Sequence, residues 1–215
     1  MVTSAPLATS LVSPALAQLN KALANFQCSL NVETRFDIES RIAARSYNLG
    51  IISLPIENAI LDLAIEPFLR SRIEVMLPGS HPLAAKSTLS IEDISREAFV
   101  SLKPRQRWRA RLDDILGTTG SQVKIPFETS STVATMQMIR DGLGITLIDR
   151  ATARLTTKDD VVLRPLEEEH WITYASLYAP GPRSPLSTRF QEAVLAHIES
   201  LRKSDPVAAD SLQII

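Results

Sequence analysis

Apolar residues recur at two spacings along this chain, and the spacings take turns. Val2-Thr3-Ser4 reads as a short strand. Leu7, Leu11, Ala15, Leu19 and Ala22 then return every three or four residues, which predicts a helix to about Phe26, with Pro14 marking a first turn or a kink. Leu30 to Arg35 alternates and predicts a strand, after which Asp37 is placed to cap a short helix reaching about Tyr47. Leu49-Gly50-Ile51-Ile52-Ser53 is an apolar strand ending on a polar residue. Further strands are expected at Ala64 to Leu69, Ile73 to Leu77, Phe99 to Leu102, Val123 to Glu128, Ile145 to Ile148, Val161 to Leu166 and Ile172 to Tyr178. Between them Ser90, with Asp93 three residues on, caps a turn of helix. Trp108 to Leu116 forms a helix closing at Gly117. Another runs from Ser130 or Ser131 through Asp141 and stops at Gly142. A short helix follows from Ala151, and Pro185 opens an amphipathic one from Leu186 to about Arg202.

This alternation predicts an α/β protein with mostly parallel sheets. In such sheets ligands bind beyond the carboxyl ends of strands, where helix N-termini offer free N–H groups suited to carboxylates. Four strand ends here finish in small polar residues: Ser4 with Ala5 and Pro6, Ser53, Ser101, and Thr129 with Ser130 and Ser131. Each also has an ordinary role open to it, N-capping for Ser4 and a turn for Ser53. Lys103, Arg105, Arg107, Arg109 and Arg111 form the one strongly basic patch, beside Trp108. Alternating positions on a helix point different ways, so these cations do not form one strip. They read either as a solvated helix start or as an arginine fork for an acidic effector, with Arg109 the candidate.

Composition narrows the function classes. Lys and Arg total 23 against 24 Asp and Glu, whereas a free-standing DNA-binding domain is markedly basic. The single cysteine, Cys28, rules out an internal disulfide and fits a reducing compartment. The N-terminus lacks the basic region and continuous apolar stretch of a signal peptide, and no stretch approaches the roughly 20 apolar residues that span a bilayer. The sequence therefore reads as soluble and cytoplasmic. His81, His170 and His197 lack a metal spacing, and Asp141 and Asp149 form no acid/base pair. With no nucleophile elbow and no phosphate-cradling loop either, no catalytic residue, metal or cofactor is expected.

The order and spacing of several segments carry a resemblance. They are Ser4-Ala5-Pro6, Leu49-Gly50-Ile51-Ile52, Leu77-Pro78-Gly79-Ser80-His81-Pro82-Leu83-Ala84 and Gly142-Leu143-Gly144-Ile145. From about Val2 to Arg202 the chain resembles the effector-binding domain of LysR-type transcriptional regulators. That resemblance implies two Rossmann-like lobes joined by two crossover strands, the type 2 periplasmic-binding-protein fold. Lobe one would comprise residues 1–76 and 179–205, lobe two residues 77–178, with 206–215 a polar tail. A small-molecule effector would sit between the lobes, touching Ser4, Ala5, Pro6, Ser53, Ser101, Arg109, Thr129, Ser130 and Ser131.

The family implies a homodimer or higher homo-oligomer, to which Leu16, Leu19, Leu23, Met136 and Ile139 would offer apolar surface. Members also carry an N-terminal winged helix-turn-helix and a linker helix; neither is in this sequence, so DNA binding would belong to a parent protein. The segment Ser101 to Asp113 followed by Glu128-Thr129-Ser130 looks nearest to regulators of amino-acid and opine metabolism, which implies a carboxylate-bearing effector. A solute-binding protein of a transporter shares the fold and is the alternative; an enzyme on the same fold would need catalytic residues not found here.

Overall fold

The computed structural model describes residues 1–56, 62–117, 123–153 and 160–215, and leaves the side chains of Arg35 and Phe36 undescribed. In chain order the elements begin with β1 (Val2–Thr3), α1 (Ala5–Leu7), a π-helical turn (Ala8–Val12) and α2 (Ser13–Ala22). Next come β2 (Asn31–Val32), α3 (Arg35–Ala43), β3 (Gly50–Ser53), β4 (Ala64–Pro78), a 3-10 turn (Pro82–Ala85) and α4 (Ile91–Ser95). Then follow β5 (Ala98–Leu102), α5 (Arg107–Gly117), β6 (Lys124–Thr129), α6 (Thr132–Arg140), β7 (Thr146–Asp149) and α7 (Arg150–Ala153). The chain closes with β8 (Val161–Tyr178), α8 (Pro185–Ser204), α9 (Pro206–Ser211) and β9 (Leu212–Ile214). Contacts divide it into one unit of Met1–Ser71 with Ile172–Ile215 and a second of Arg72–Trp171.

Three expectations change. Each pair of strands expected at 64–77 and 161–178 is one continuous strand, so β4 and β8 themselves carry the chain between units, at 71/72 and 171/172. Four polar residues, Arg70 to Arg72 and Glu74, interrupt the apolar alternation of β4 and disguise its continuity; Ser71 and Glu74 are nonetheless buried. The pairing is mixed rather than mostly parallel: β1 runs parallel to β2 and β3, and β5 to β6, but β3–β8, β4–β7 and β4–β9 are antiparallel. Residues 206–215 are no polar tail. Asp205 caps α9 through Val207 N–H at 3.0 Å, and Ala208 and Leu212 are fully buried.

In the first unit, Val2, Ile38, Ile42, Ile52 and Leu177 form a core cluster in which α3 packs with β1, β3 and β8. The α3 cap is Thr34 rather than Asp37: Thr34 has extended backbone and its hydroxyl donates to the Asp37 carboxylate, one turn in. Helix one runs unbroken from Ala5 to Ala22, through a π turn just before Pro14. Proline has no N–H to give the carbonyl four residues back, which is that of Ser10. His197 on α8 supplies the substitute, its Nε2 donating to Ser10 O at 3.2 Å. The lost bond is thereby remade across a helix pair.

The second unit buries its strands on both faces. Ile73, Val75 and Leu77 of β4, Phe99 of β5 and Leu147 of β7 pack with Leu112, Ile115 and Leu116 of α5. Met76, Val100 and Ile148 turn the other way, onto Met136 and Ile139 of α6. Alternation along each strand sends successive side chains to opposite faces, and both faces here are covered by helix.

The Gly142-Leu143-Gly144 run does two separate jobs. Gly142 (φ 78°) ends α6 with its N–H bonded to Ile139 O and Leu143 N–H bonded to Met138 O, both at 3.0 Å. That is the bond pattern of a left-handed glycine stop. Gly144 (φ 151°) lies so close to β5 that a Cβ would stand 2.3 Å from the Ala98 carbonyl oxygen. Gly144→Ala should therefore destabilise the protein by about 3 kcal/mol, since both conformation and strand spacing must yield. Gly142→Ala, with open space around it, should cost only about 1 kcal/mol. Urea denaturation of the two variants checks the order.

His170 offers a pH test of the second unit. Burial, aided by Arg111 and opposed by Glu168, lowers its pKa below the usual 6.5, and its Nε2 is buried without a partner. Above the unfolded pKa both states hold the neutral ring, so this contribution is complete there. As pH falls through about 6.5 the unfolded chain binds the proton first, and stability declines toward the lower folded pKa. His170→Gln should flatten the fall in melting temperature between pH 7.5 and 5.5.

Candidate functional site

Two strand-end clusters, one per unit, contain the residues singled out in the sequence. In the first unit β1 and β3 are parallel neighbours, with Val2 opposite Gly50 and Thr3 opposite Ile51. Their carboxyl ends therefore emerge side by side, placing Ser4 and Ser53 at one end of the sheet. Buried Thr3 locks the pair, its hydroxyl donating to Ile51 O at 2.8 Å. Ser4 is the N-cap residue of the helix that continues to Ala22, and its carbonyl accepts from Ala8 N–H at 2.9 Å. Its side chain makes no capping bond. Ala5 and Pro6 form the first turn, where Pro6 has no N–H to leave unsatisfied. Thr9, a turn further on, spends its hydroxyl on the carbonyls of Ala5 and Pro6 at 3.1 and 3.0 Å.

In the second unit β5 and β6 are parallel, with Ser101 opposite Glu128 and Leu102 opposite Thr129. Ser101 is 1% exposed, and its hydroxyl turns to the next carbonyl, Leu102 O, at 3.1 Å. Thr129 Oγ1 accepts from Ser131 N–H at 3.2 Å, and Ser131 Oγ caps α6 by accepting from Ala134 N–H at 3.3 Å. Of the two cap candidates, Ser131 holds the position. Ser130 is exposed, and its carbonyl accepts from the Gln106 side chain at 3.2 Å. A hydroxyl that accepts a backbone N–H still has its own proton to donate, so Thr129 and Ser131 remain donors despite their local bonds.

Arg109 is ion-paired within the second unit. Its guanidinium is held by two carboxylates, Nη1 to Glu128 Oε1 at 2.5 Å and Nε to Asp113 Oδ1 at 2.9 Å, with a longer bond from Nη1 to Leu102 O at 3.4 Å. The charge expected to await an acidic effector is already balanced within the unit. The arginines also diverge, as alternation on α5 requires: Arg111 Nη2 reaches Trp171 O at 3.3 Å, and Arg105 sits in the preceding turn at φ 70°.

Gln106 and Glu128 are the residues the sequence reading did not single out. Gln106 Oε1 accepts from Lys103 N–H at 3.1 Å while its amide holds Ser130 O, joining the loop after β5 to the start of α6. The available signal for Glu128 was its place at a strand end directly before Thr129. Nothing local paired it with Arg109, nineteen residues earlier.

Among the expected dimer residues, Leu19, Met136 and Ile139 are buried within their own units and offer no free surface. Leu16 and Leu23 are half-buried, and Val133 on α6 is 50% exposed. No metal-holding cluster of His, Cys, Asp and Glu occurs among the described residues, and no helix there is long and apolar enough to cross a membrane.

Comparison with known proteins supplies the frame for these two clusters. Among curated relatives, the chain is 26% identical over 144 residues to the HTH-type transcriptional regulator CysL of Bacillus subtilis, covering 67% of this chain and 48% of that one. It is 26% identical over 163 residues to regulatory protein NocR of Agrobacterium tumefaciens, covering 74% and 53%. The chain thus spans about half the length of the curated relatives it matches. Two solved structures share its fold. One is the Synechocystis CcmR regulatory domain in complex with 2-PG (TM-score 0.76, 22% identity, 91% of this chain and 94% of that one). The other is the reduced OxyR regulatory domain of Pseudomonas aeruginosa (TM-score 0.77, 16% identity, 91% and 95%). Their architecture is the type 2 periplasmic-binding-protein fold, expected here from the sequence resemblance. The model of the LysR substrate binding domain matches residues 1–199, and the chain belongs to that family.

Proposed function

We propose that this chain senses a small carboxylate-bearing metabolite, amino-acid or opine-like, on behalf of a LysR-type transcriptional regulator. The family match over residues 1–199 carries the regulatory part of this reading. Support for a carboxylate comes from donors gathered at helix starts. Ser4 has a side chain unused in capping at the head of an eighteen-residue helix run, and Thr129, Ser130 and Ser131 lead into α6. First-turn N–H groups and hydroxyl protons both suit an anion. We assign effector contact to Ser4, Ala5, Pro6 and Ser53 from the first unit, and to Ser101, Thr129, Ser130 and Ser131 from the second. Arg109 serves as a positioning residue, bracing Glu128 and the end of β5.

The effector would act by binding one arrangement of the domain better than another, because only differential affinity shifts such an equilibrium. DNA binding would reside in an N-terminal winged helix-turn-helix of the parent protein, and the domain would act as a cytoplasmic homodimer. Regulatory proteins among the relatives favour this reading over a transport solute-binding protein.

A thermal-shift screen of amino acids, opines, aromatic acids and sugars should raise the melting temperature for a carboxylate-bearing compound, by linkage of binding to folding. A shift produced by nucleic acid alone would sink the sensor reading. For a compound that binds, Ser4→Ala and the pair Thr129→Val with Ser130→Ala should each weaken affinity about tenfold, the loss expected for one or two hydrogen bonds to a charged group. Unchanged affinity in both would overturn the residue assignment while leaving the family intact. Gel filtration should give a dimer, and Val133→Glu should shift it toward monomer.

A further inference from the structure

Residues 200–215 lie outside the family match, yet they fold back onto the strand on which both units depend. After α8, the Asp205 cap and Pro206 start α9, and Leu212 to Ile214 pair antiparallel with β4, Leu212 opposite Ser71, Gln213 opposite Arg70 and Ile214 opposite Leu69. Ile215 N–H donates to Phe68 O at 3.3 Å. Since bonded and non-bonded pairs alternate in an antiparallel ladder, Arg70 and Gln213 form the next bonded pair. Their side chains meet as well, Arg70 Nη1 donating to Gln213 Oε1 at 3.4 Å. The strand residues so covered, Phe68, Leu69 and Ser71, are each at most 1% exposed.

Position gives this pairing its meaning. Ser71 is the last residue of the first unit and Arg72 the first of the second. From Ile73 onward β4 is laddered to β7, Ile73 opposite Asp149. Thus β9 pairs with β4 up to the boundary and β7 pairs with it from the next residue but one; β8 neighbours β4 in the same sheet, and Arg72, between the two registers, reaches Leu166 O of β8 at 3.5 Å. A paired stretch of strand must unzip before its φ and ψ can change, which is a local unfolding event.

We propose that the C-terminal segment 206–215 is a strap that adds its own ladder to β4 up to the unit boundary, and that its release loosens the strand from Phe68 to Ile73. It is a cis-acting restraint on the passage between units. Hydrogen exchange read by mass spectrometry tests it, comparing the full chain with one ending at Asp205 and with full-length Gln213→Pro. The proline removes the Gln213 N–H from the ladder while leaving Leu212 to pack, so it decides the matter if the shortened chain fails to fold. Exchange over residues 68–73 should rise more than fivefold in each variant that folds, with β1, β3 and the β5–β6 pair changing less than twofold. A smaller rise at 68–73, or an equal rise in β1 and β3, would overturn the strap and leave the segment as ordinary core.

Discussion

The continuity of β4 through both units is the constraint from which the remaining structure follows. Its fifteen residues belong to both units, and they pair with β9 near the boundary and with β7 beyond it. Side chains from the same strand enter the two cores of the second unit, Val75 on one face and Met76 on the other. A strand with this many obligations tolerates little slippage, because a one-residue shift would exchange its two faces. The buried Glu74 is met in this register by Arg150 at 2.8 Å.

Much of this was legible in the chain, and the parts that were not share a cause. Periodicity located the helices of 91–95, 107–117, 132–140 and 185–204 closely, because apolar spacing, capping serines and stop glycines all act within a turn or two. Continuity of β4 and β8 was hidden, since Arg70 to Arg72 and Glu167 to His170 look like polar connections. In the fold they ride along continuous strands regardless of side-chain character. The C-terminal strand was read as a tail for a similar reason: three residues carry no period, and only burial of Leu212 against distant β4 makes them a strand.

The candidate site divides along the same line. Ser4, Ser53, Ser101 and Thr129 could be placed near strand ends from sequence because strand ends and helix starts are local features. The state of Arg109 was not, since it depends on Glu128 arriving through β5–β6 pairing. A lone arginine in sequence looks like a free charge. In the fold it is part of a set of two carboxylates and one guanidinium.

Pro14 and His197 have a consequence for how this sequence can vary. The proline vacates the Ser10 carbonyl and the imidazole occupies it, although 183 positions separate the pair in the chain. Replacing the proline alone would bring a new N–H into competition for an oxygen already taken; replacing the histidine alone would strand that oxygen. The two substitutions should therefore be strongly non-additive. Relatives ought to keep both residues or lose both, so a covariation signal between the first helix and α8 would mark a hydrogen bond rather than a shared ligand.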